Sequence, residues 1–297
     1  ALAMYGDEDA ESILSFISEE DKKKLSIQTT FYNTNNENHS NQFYWDGEDW
    51  VKIKKQNNVL GYGVNRLKIL KEYDEATLHE SNPVFSLYNE ERGNLQTVEG
   101  WMKEKYLENE GEWSEEMRIM NKTLISLAPG LEEIIIDGSQ VRFVEEGFEA
   151  RYMQLSSGSK SVIASIGDML IRLLENPQNQ KYKKEYGYLS LESLTGVVLI
   201  DELDMHLHPS WQKKYPKLLA QTFPKVQFWC TTHSIVPLMD PPSNSKFFTL
   251  MRNNENIDII PVDLDPAKLS ANIVLSSPLF DVSLLSYEQN EEEFPTH

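Results

Sequence analysis

A single cysteine, Cys230, is the only thiol in 297 residues, which leaves no disulfide framework within the chain. That scarcity fits a reducing cytoplasm. No apolar run reaches the roughly 20 residues that a membrane-spanning helix needs. The opening Ala1-Leu2-Ala3-Met4-Tyr5-Gly6 has neither the basic nor the apolar stretch of a secretory signal, so a soluble cytoplasmic protein without a membrane partner is expected. Basic residues are also few, 28 Lys and Arg against 47 Asp and Glu, for a formal charge of −19. Nucleic-acid binders carry a basic footprint, whereas a surface this acidic repels phosphate backbones outside local patches. Any DNA contact is therefore expected to fall largely to a partner chain. Solubility alone also accounts for the charge. No internal repeat is visible.

What is present changes character along the chain. Leu25–Tyr32 and Trp50–Ile53 alternate apolar with polar residues, as half-buried antiparallel strands do. Asn33–Asn41 between them reads as an exposed loop. Asn58–Arg66 reads as a short strand and a glycine turn. From Leu67 to Leu127 the pattern is helical and highly charged. Glu133–Ser139 and Val141–Val144 read as strands joined at Asp137-Gly138. From Leu155 onward the pattern is α/β: an apolar stripe from Val162 to Leu174 at helical spacing, then Val197–Ile200 apolar on both faces like a buried parallel strand, a helix over Trp211–Phe223, and a second strand over Val226–Thr231.

Three segments carry chemistry. Val197–Ile200 runs into Asp201-Glu202, which places two carboxylates at the sheet's carboxyl edge, where α/β folds bind ligands. One acid suits Mg²⁺, which needs few protein ligands, and the other can polarise an attacking water. Alone, such a pair reads as an acidic strand end facing solvent. Upstream, Leu155-Ser156-Ser157-Gly158-Ser159-Lys160-Ser161 opens a helix whose N–H groups suit phosphate oxygens. Gly158 permits close approach by an anion, and Ser156 adds a hydroxyl. Alone, this is an ordinary serine cap. Downstream, Thr231-Thr232-His233-Ser234 puts a histidine just past a strand end, where it can touch a γ-phosphate or serve a structural role. His206 and His208 have no cysteine nearby and Pro209 follows them, so no zinc site is expected.

In this order the segments resemble the ATP-binding-cassette group of ATPases that includes SMC, Rad50 and RecF-like proteins. Leu155–Ser161 resembles their signature motif, Val197–Glu202 their Walker B strand, Leu207-His208-Pro209 their D-loop, and Thr231–Ser234 their switch-histidine loop. Within the group, Ile200–Trp211, the run Gly61-Tyr62-Gly63-Val64-Asn65-Arg66 and the run Leu269–Phe280 are similar to AAA-family ATPases of bacterial defence islands. Among these the chain resembles Septu-type antiphage ATPases and their retron-associated relatives. The resemblance covers most of residues 58 to 285.

The resemblance implies an α/β ATPase head with a mainly parallel core sheet flanked by helices, an antiparallel β part and a helical insertion. It divides the chain into residues 1–66 (remainder of an N-terminal ATPase lobe), 67–127 (insertion), 128–285 (ATPase core) and 286–297 (acidic tail). It implies ATP and Mg²⁺ as cofactors, Asp201 supporting the metal, Glu202 activating water and His233 sensing the γ-phosphate. Ser156 and Gly158 would reach that phosphate from the opposite subunit of a head-to-tail homodimer or higher oligomer. Ser157, His208 and Arg66 fall beside the nucleotide in the same scheme. The implied partner is an HNH nuclease, with nucleic acid reached through the complex. The 297 residues contain no Gly-x-x-x-x-Gly-Lys-Ser/Thr loop. The family places that loop near the N-terminus, so either it lies ahead of Ala1 or the protein lacks it and binds ATP weakly. Two other readings stay open: a nucleotide-responsive scaffold that hardly hydrolyses ATP, and a RecF- or Rad50-like DNA-repair ATPase. Residues 67–127 are too short for the long heptad arms of Rad50.

Overall fold

A computed structural model describes residues 26–32, 38–45, 50–51, 59–64, 66, 87, 97–138, 140–253 and 256–262. The run Leu269–Phe280, the acidic tail and most of residues 67–96 lie outside the described residues. The chain divides into two compact units, one comprising Ala1–His206 with Thr222–Thr231, the other Leu207–Gln221 with Thr232 onward.

In the first unit, β1 (Ser26–Tyr32), β2 (Asn38–Trp45) and β3 (Trp50–Val51) form an antiparallel sheet. Thr29–Tyr32 pair with Asn38–Asn41, so the loop expected over Asn33–Asn41 is shorter than its composition suggests. Strand pairing with β1 overrides the weak β-propensity of asparagine. β4 (Val59–Tyr62) is buried along its whole length.

Helix α1 (Val98–Glu108) starts at Thr97, whose hydroxyl accepts from Gly100 N–H, and buries Val98, Trp101 and Met102. Helix α2 (Glu115–Leu127) starts at Ser114, which accepts from Met117 N–H, and buries Met117, Met120, Leu124 and Leu127. Serine and threonine at these positions satisfy N–H groups that a helix start leaves unpaired. β5 (Leu131–Asp137), β6 (Gln140–Glu145) and β7 (Phe148–Ala150) form a second antiparallel sheet. The β5–β6 turn uses Gly138 at φ 52°, a left-handed conformation that glycine adopts without steric cost.

Helix α3 (Ser157–Glu175) is the centre of this unit. Residues from every side of it are buried, among them Val162, Ile163, Ile166, Met169, Leu170 and Leu173, as befits a helix apolar all round. A Cβ on Gly167 would sit 2.0 Å from Val98 Cγ2, so the absent side chain lets α1 approach α3. Helix α4 (Pro177–Tyr186) follows at once and ends on Gly187 in the left-handed region.

β8 (Gly196–Ile200) is the middle strand of a parallel sheet in the order β4-β8-β9, with β9 at Val226–Cys230. Tyr62, Ile200 and Cys230 share one register position. Leu60, Tyr62, Val198 and Ile200 fill a buried face. On the opposite face Val197 and Leu199 are half-buried, so the burial expected on both faces is complete on one. The second unit contains α5 (Pro209–Thr222), a single 3-10 turn at Val236–Met239, and the antiparallel hairpin of β10 (Phe247–Asn253) and β11 (Asn256–Val262). The fold is thus α/β, with a parallel sheet, antiparallel sheets and helices. Among the described residues no helix is long and apolar enough to cross a membrane.

Candidate functional site

The parallel sheet delivers three chain segments to one edge. Its ladder runs one step past the strands: Asp201 N–H donates to Tyr62 O at 2.8 Å and Thr231 N–H to Ile200 O at 3.0 Å. This holds Asp201 beside Thr231, whose hydroxyl donates to Asp201 Oδ1 at 2.5 Å. The same hydroxyl oxygen accepts from Glu202 N–H at 2.9 Å. Leu203 N–H donates to Thr231 O at 3.0 Å. Threonine 231 therefore holds both the side chain of the first acid and the backbone of the second.

Glu202 adopts φ 48° and His206 φ 66°. A non-glycine residue in the left-handed region carries about 1–3 kcal/mol of strain and persists only where its surroundings over-determine it. Here the surroundings include Arg66, which is 3% exposed. Its Nη1 donates to Asp201 O at 2.8 Å and to Gly63 O at 3.1 Å, and its Nη2 to Glu202 O at 3.1 Å. Both carboxylates remain half-buried.

A second group of residues surrounds the start of α3. Ser156 is its N-cap and accepts from Ser159 N–H at 3.2 Å. The Glu145 carboxylate, from the end of β6, accepts from Ser156 N–H at 3.0 Å and from Ser156 Oγ at 2.8 Å. The buried Ser159 hydroxyl reaches the same carboxylate and also Pro129 O at 2.6 Å. Burial pushes the Glu145 carboxyl up, but the Ser159 hydroxyl and the Ser156 amide and hydroxyl outweigh it, and its pKa lies below the ordinary value. A carboxylate held by N–H and hydroxyl donors at a helix N-terminus is the arrangement such a terminus offers any anion. Ser157 is exposed and Gly158 partly so. A Cβ added at Gly158 would meet only His206 O at 3.6 Å and Pro129 Cγ at 3.8 Å, which is ordinary contact.

In the second unit, His208 is exposed and caps α5, its Nδ1 accepting from Ser210 N–H at 3.3 Å. His233 is exposed in a turn where Thr232 Oγ1 accepts from Ser234 N–H at 3.0 Å. Ser234 Oγ lies 3.4 Å from Gln212 Oε1 on α5. Of the residues read from the sequence, the first unit thus gathers Asp201, Glu202 and Arg66 in one cluster and Ser156, Ser157 and Gly158 in another. Sequence reasoning gave no role to Thr231, Tyr62 or Glu145. Thr231 stood inside a recognised motif, whereas nothing in the sequence singled out Glu145.

Among the described residues no trio of His, Cys, Asp or Glu gathers closely enough to cage a metal. The hard oxygen donors of Asp201 and Thr231 suit Mg²⁺, which takes one or two carboxylates and keeps its waters. A cleft of about 500 Å³ lined by residues that include Trp101, Lys105, Glu116 and Glu175 shares no lining residue with either cluster.

A family model described as "AAA domain, putative AbiEii toxin, Type IV TA system" matches residues 4–240. The chain belongs to this AAA-domain family. It is 28% identical over 224 residues to the "Retron Vc95 probable ATPase" of Vibrio cholerae, covering 71% of this chain and 38% of that protein. It is 32% identical over 145 residues to the "Retron Ec83 probable ATPase" of Escherichia coli, covering 48% of this chain and 25% of that protein. To the "Septu protein PtuA" of Bacillus mycoides it is 30% identical over 210 residues, covering 67% of this chain and 25% of that protein. The chain therefore spans well under half the length of these relatives. Among solved structures it is similar to the SMC head domain from Thermotoga maritima, with a TM-score of 0.43, 13% identity, and coverage of 80% of this chain and 74% of that one. An SMC head bound to the C-terminal winged-helix domain of ScpA has a TM-score of 0.46, 14% identity, and coverage of 82% and 75%.

Proposed function

We propose that this AAA-domain chain binds and hydrolyses ATP as the ATPase subunit of an antiphage defence complex, and that its nucleotide cycle controls an associated HNH-type nuclease. The observation that carries the reading is the Asp201-Glu202 pair at the carboxyl edge of a parallel sheet, held by Thr231 and Arg66. The names of the retron and Septu relatives support the defence setting.

Asp201 would hold Mg²⁺ through water, and the ion would supply positive charge for the phosphate oxygens. Glu202 takes a proton from the attacking water as general base. His233 senses the γ-phosphate. Ser156, Ser157 and Gly158 bind that phosphate from a second copy of the chain, and His208 lies beside the nucleotide. The acidic charge of −19 leaves nucleic-acid contact to the nuclease partner. The site works in the cytoplasm, in a head-to-tail dimer or higher oligomer.

A scaffold that responds to nucleotide but hardly hydrolyses it is the second reading. Glu145 favours it, because its carboxylate already engages the Ser156 hydroxyl and amide that would bind phosphate. The full-length protein, purified with the proposed HNH nuclease partner, decides between them. ATP turnover that Glu202→Gln abolishes, together with loss of phage protection, supports the hydrolytic reading. Protection that survives Glu202→Gln sinks it.

A further inference from the structure

We infer that Arg66 is a positioning residue of the hydrolytic site: it sets the backbone conformation from which Glu202 acts and does not contact the nucleotide. This rests on the hydrolytic reading above. Four backbone polar groups fix the Asp201-Glu202 turn. The two amides are taken by Tyr62 O at 2.8 Å and Thr231 Oγ1 at 2.9 Å. The two carbonyls are taken by the two arms of one guanidinium, at 2.8 and 3.1 Å. Met205 N–H also donates to Glu202 O at 3.1 Å.

For one fork to reach two successive carbonyls, both must face the same side. An extended chain points them to opposite sides. The turn that brings them together here puts Glu202 at φ 48°, a conformation that is disfavoured for a side-chain-bearing residue. The guanidinium is planar, always charged, and fixed in its donor geometry, so it suits this task where an ammonium on a flexible stem does not. Its third contact, from Nη1 to Gly63 O at 3.1 Å, ties the fork to the turn that follows β4. At 3% exposure the arginine is embedded behind the acids. A nucleotide contact would draw the same two arms away from the carbonyls they hold.

The test uses the full-length protein carrying Arg66→Lys or Arg66→Gln, with Glu202→Gln as the inactive control. Two readouts are taken: steady-state ATP hydrolysis, and hydrogen exchange of peptides covering residues 199–207. Misplacing the base by about 1 Å costs about a hundredfold in rate. Both variants should therefore lose about that much kcat, with KM for ATP within about threefold of wild type, as expected when ground-state binding is untouched. Exchange at residues 199–207 should quicken while the thermal midpoint of Arg66→Lys stays close to wild type. A KM that rises more than about tenfold with kcat unchanged would mean a nucleotide contact and overturn the inference. So would wild-type exchange at 199–207 in both variants. If wild type turns over ATP no faster than Glu202→Gln, the hydrolytic reading fails, and the exchange data alone decide whether Arg66 holds the turn.

Discussion

The hydroxyl of Tyr62 donates to the buried carboxylate of Asp168 at 2.8 Å. The backbone carbonyl of the same tyrosine receives Asp201 N–H. One residue at the end of β4 thus touches both the acid-bearing turn and the middle of α3, whose N-terminus carries Ser156. Arg172 Nε, one turn further along α3, donates to the same Asp168 oxygen at 2.8 Å. Asp168 is 1% exposed, and a carboxylate at that depth requires such donors.

Tyr62→Phe removes one donor and leaves the buried carboxylate short of a partner, which should cost about 1–3 kcal/mol in urea unfolding. Asp168→Ala should cost more, about 3–5 kcal/mol, because it breaks a buried ion pair with Arg172. Burial first, then the Asp168 carboxylate, pushes the Tyr62 phenol well above its ordinary value, against the pull of Arg172. The folded state therefore keeps a proton that the unfolded chain releases. The associated stability is present in full below the unfolded phenol's pKa of about 10 and is lost as pH rises above it. Unfolding midpoints of wild type and Tyr62→Phe should converge in alkaline buffer.

The left-handed backbone of Glu202 makes glycine and alanine unequal replacements. Alanine keeps the steric strain and glycine relieves it, so Glu202→Gly should be more stable than Glu202→Ala by about 1 kcal/mol. Equal denaturation midpoints for the two would contradict a φ of 48° at this position.

A substitution at Gly158 tests folding and the proposed function separately. The space beside it accepts a methyl group at ordinary contact distance, and alanine is favoured over glycine by about 1 kcal/mol within a helix. Gly158→Ala should leave the thermal midpoint unchanged or raised; on the proposed function it should also weaken ATP turnover, because the added methyl would obstruct a phosphate approaching the start of α3. Full activity with unchanged stability would remove Gly158 from the site.

Acid should loosen the start of α3. The carboxyl of Glu145 lies below its ordinary pKa in the folded state. Its contribution is present above the unfolded value of about 4.3 and is lost as pH falls through the lower folded value. Amide exchange at residues 157–161, corrected for intrinsic rates, should rise across that window in wild type. In Glu145→Gln it should be raised already at neutral pH. Exchange that stays protected in Glu145→Gln would show that the Ser156 cap suffices without the carboxylate.

The local grammar of the chain was legible from sequence. The run Val197–Ile200 ended by two acids is a strand followed by its turn, Ser156 caps a helix, and a hairpin turns at Gly138, one residue later than the expected Asp137-Gly138 junction because Asp137 still pairs with Gln140. Each is a short-range consequence of burial pattern, capping or backbone freedom. Asn38–Asn41 went astray because the partner that makes them a strand is β1, and composition does not report pairing. Glu145 was invisible for a related reason: its hydrogen bonds run to Ser156 and Ser159 across a chain reversal.

The sequence by itself determined which residues are candidates for the chemistry, because carboxylates, hydroxyls and a glycine turn are properties of residue type and spacing. Only the tertiary structure decided what holds them. Arg66 clamps carbonyls far along the chain from itself, Thr231 bridges two strand ends, and Tyr62 joins a sheet edge to a helix. Those partners meet because parallel pairing of β4, β8 and β9 brings three distant segments to one edge. The pairing is fixed by burial of the sheet's apolar face, a collective free energy that no single position in the sequence carries.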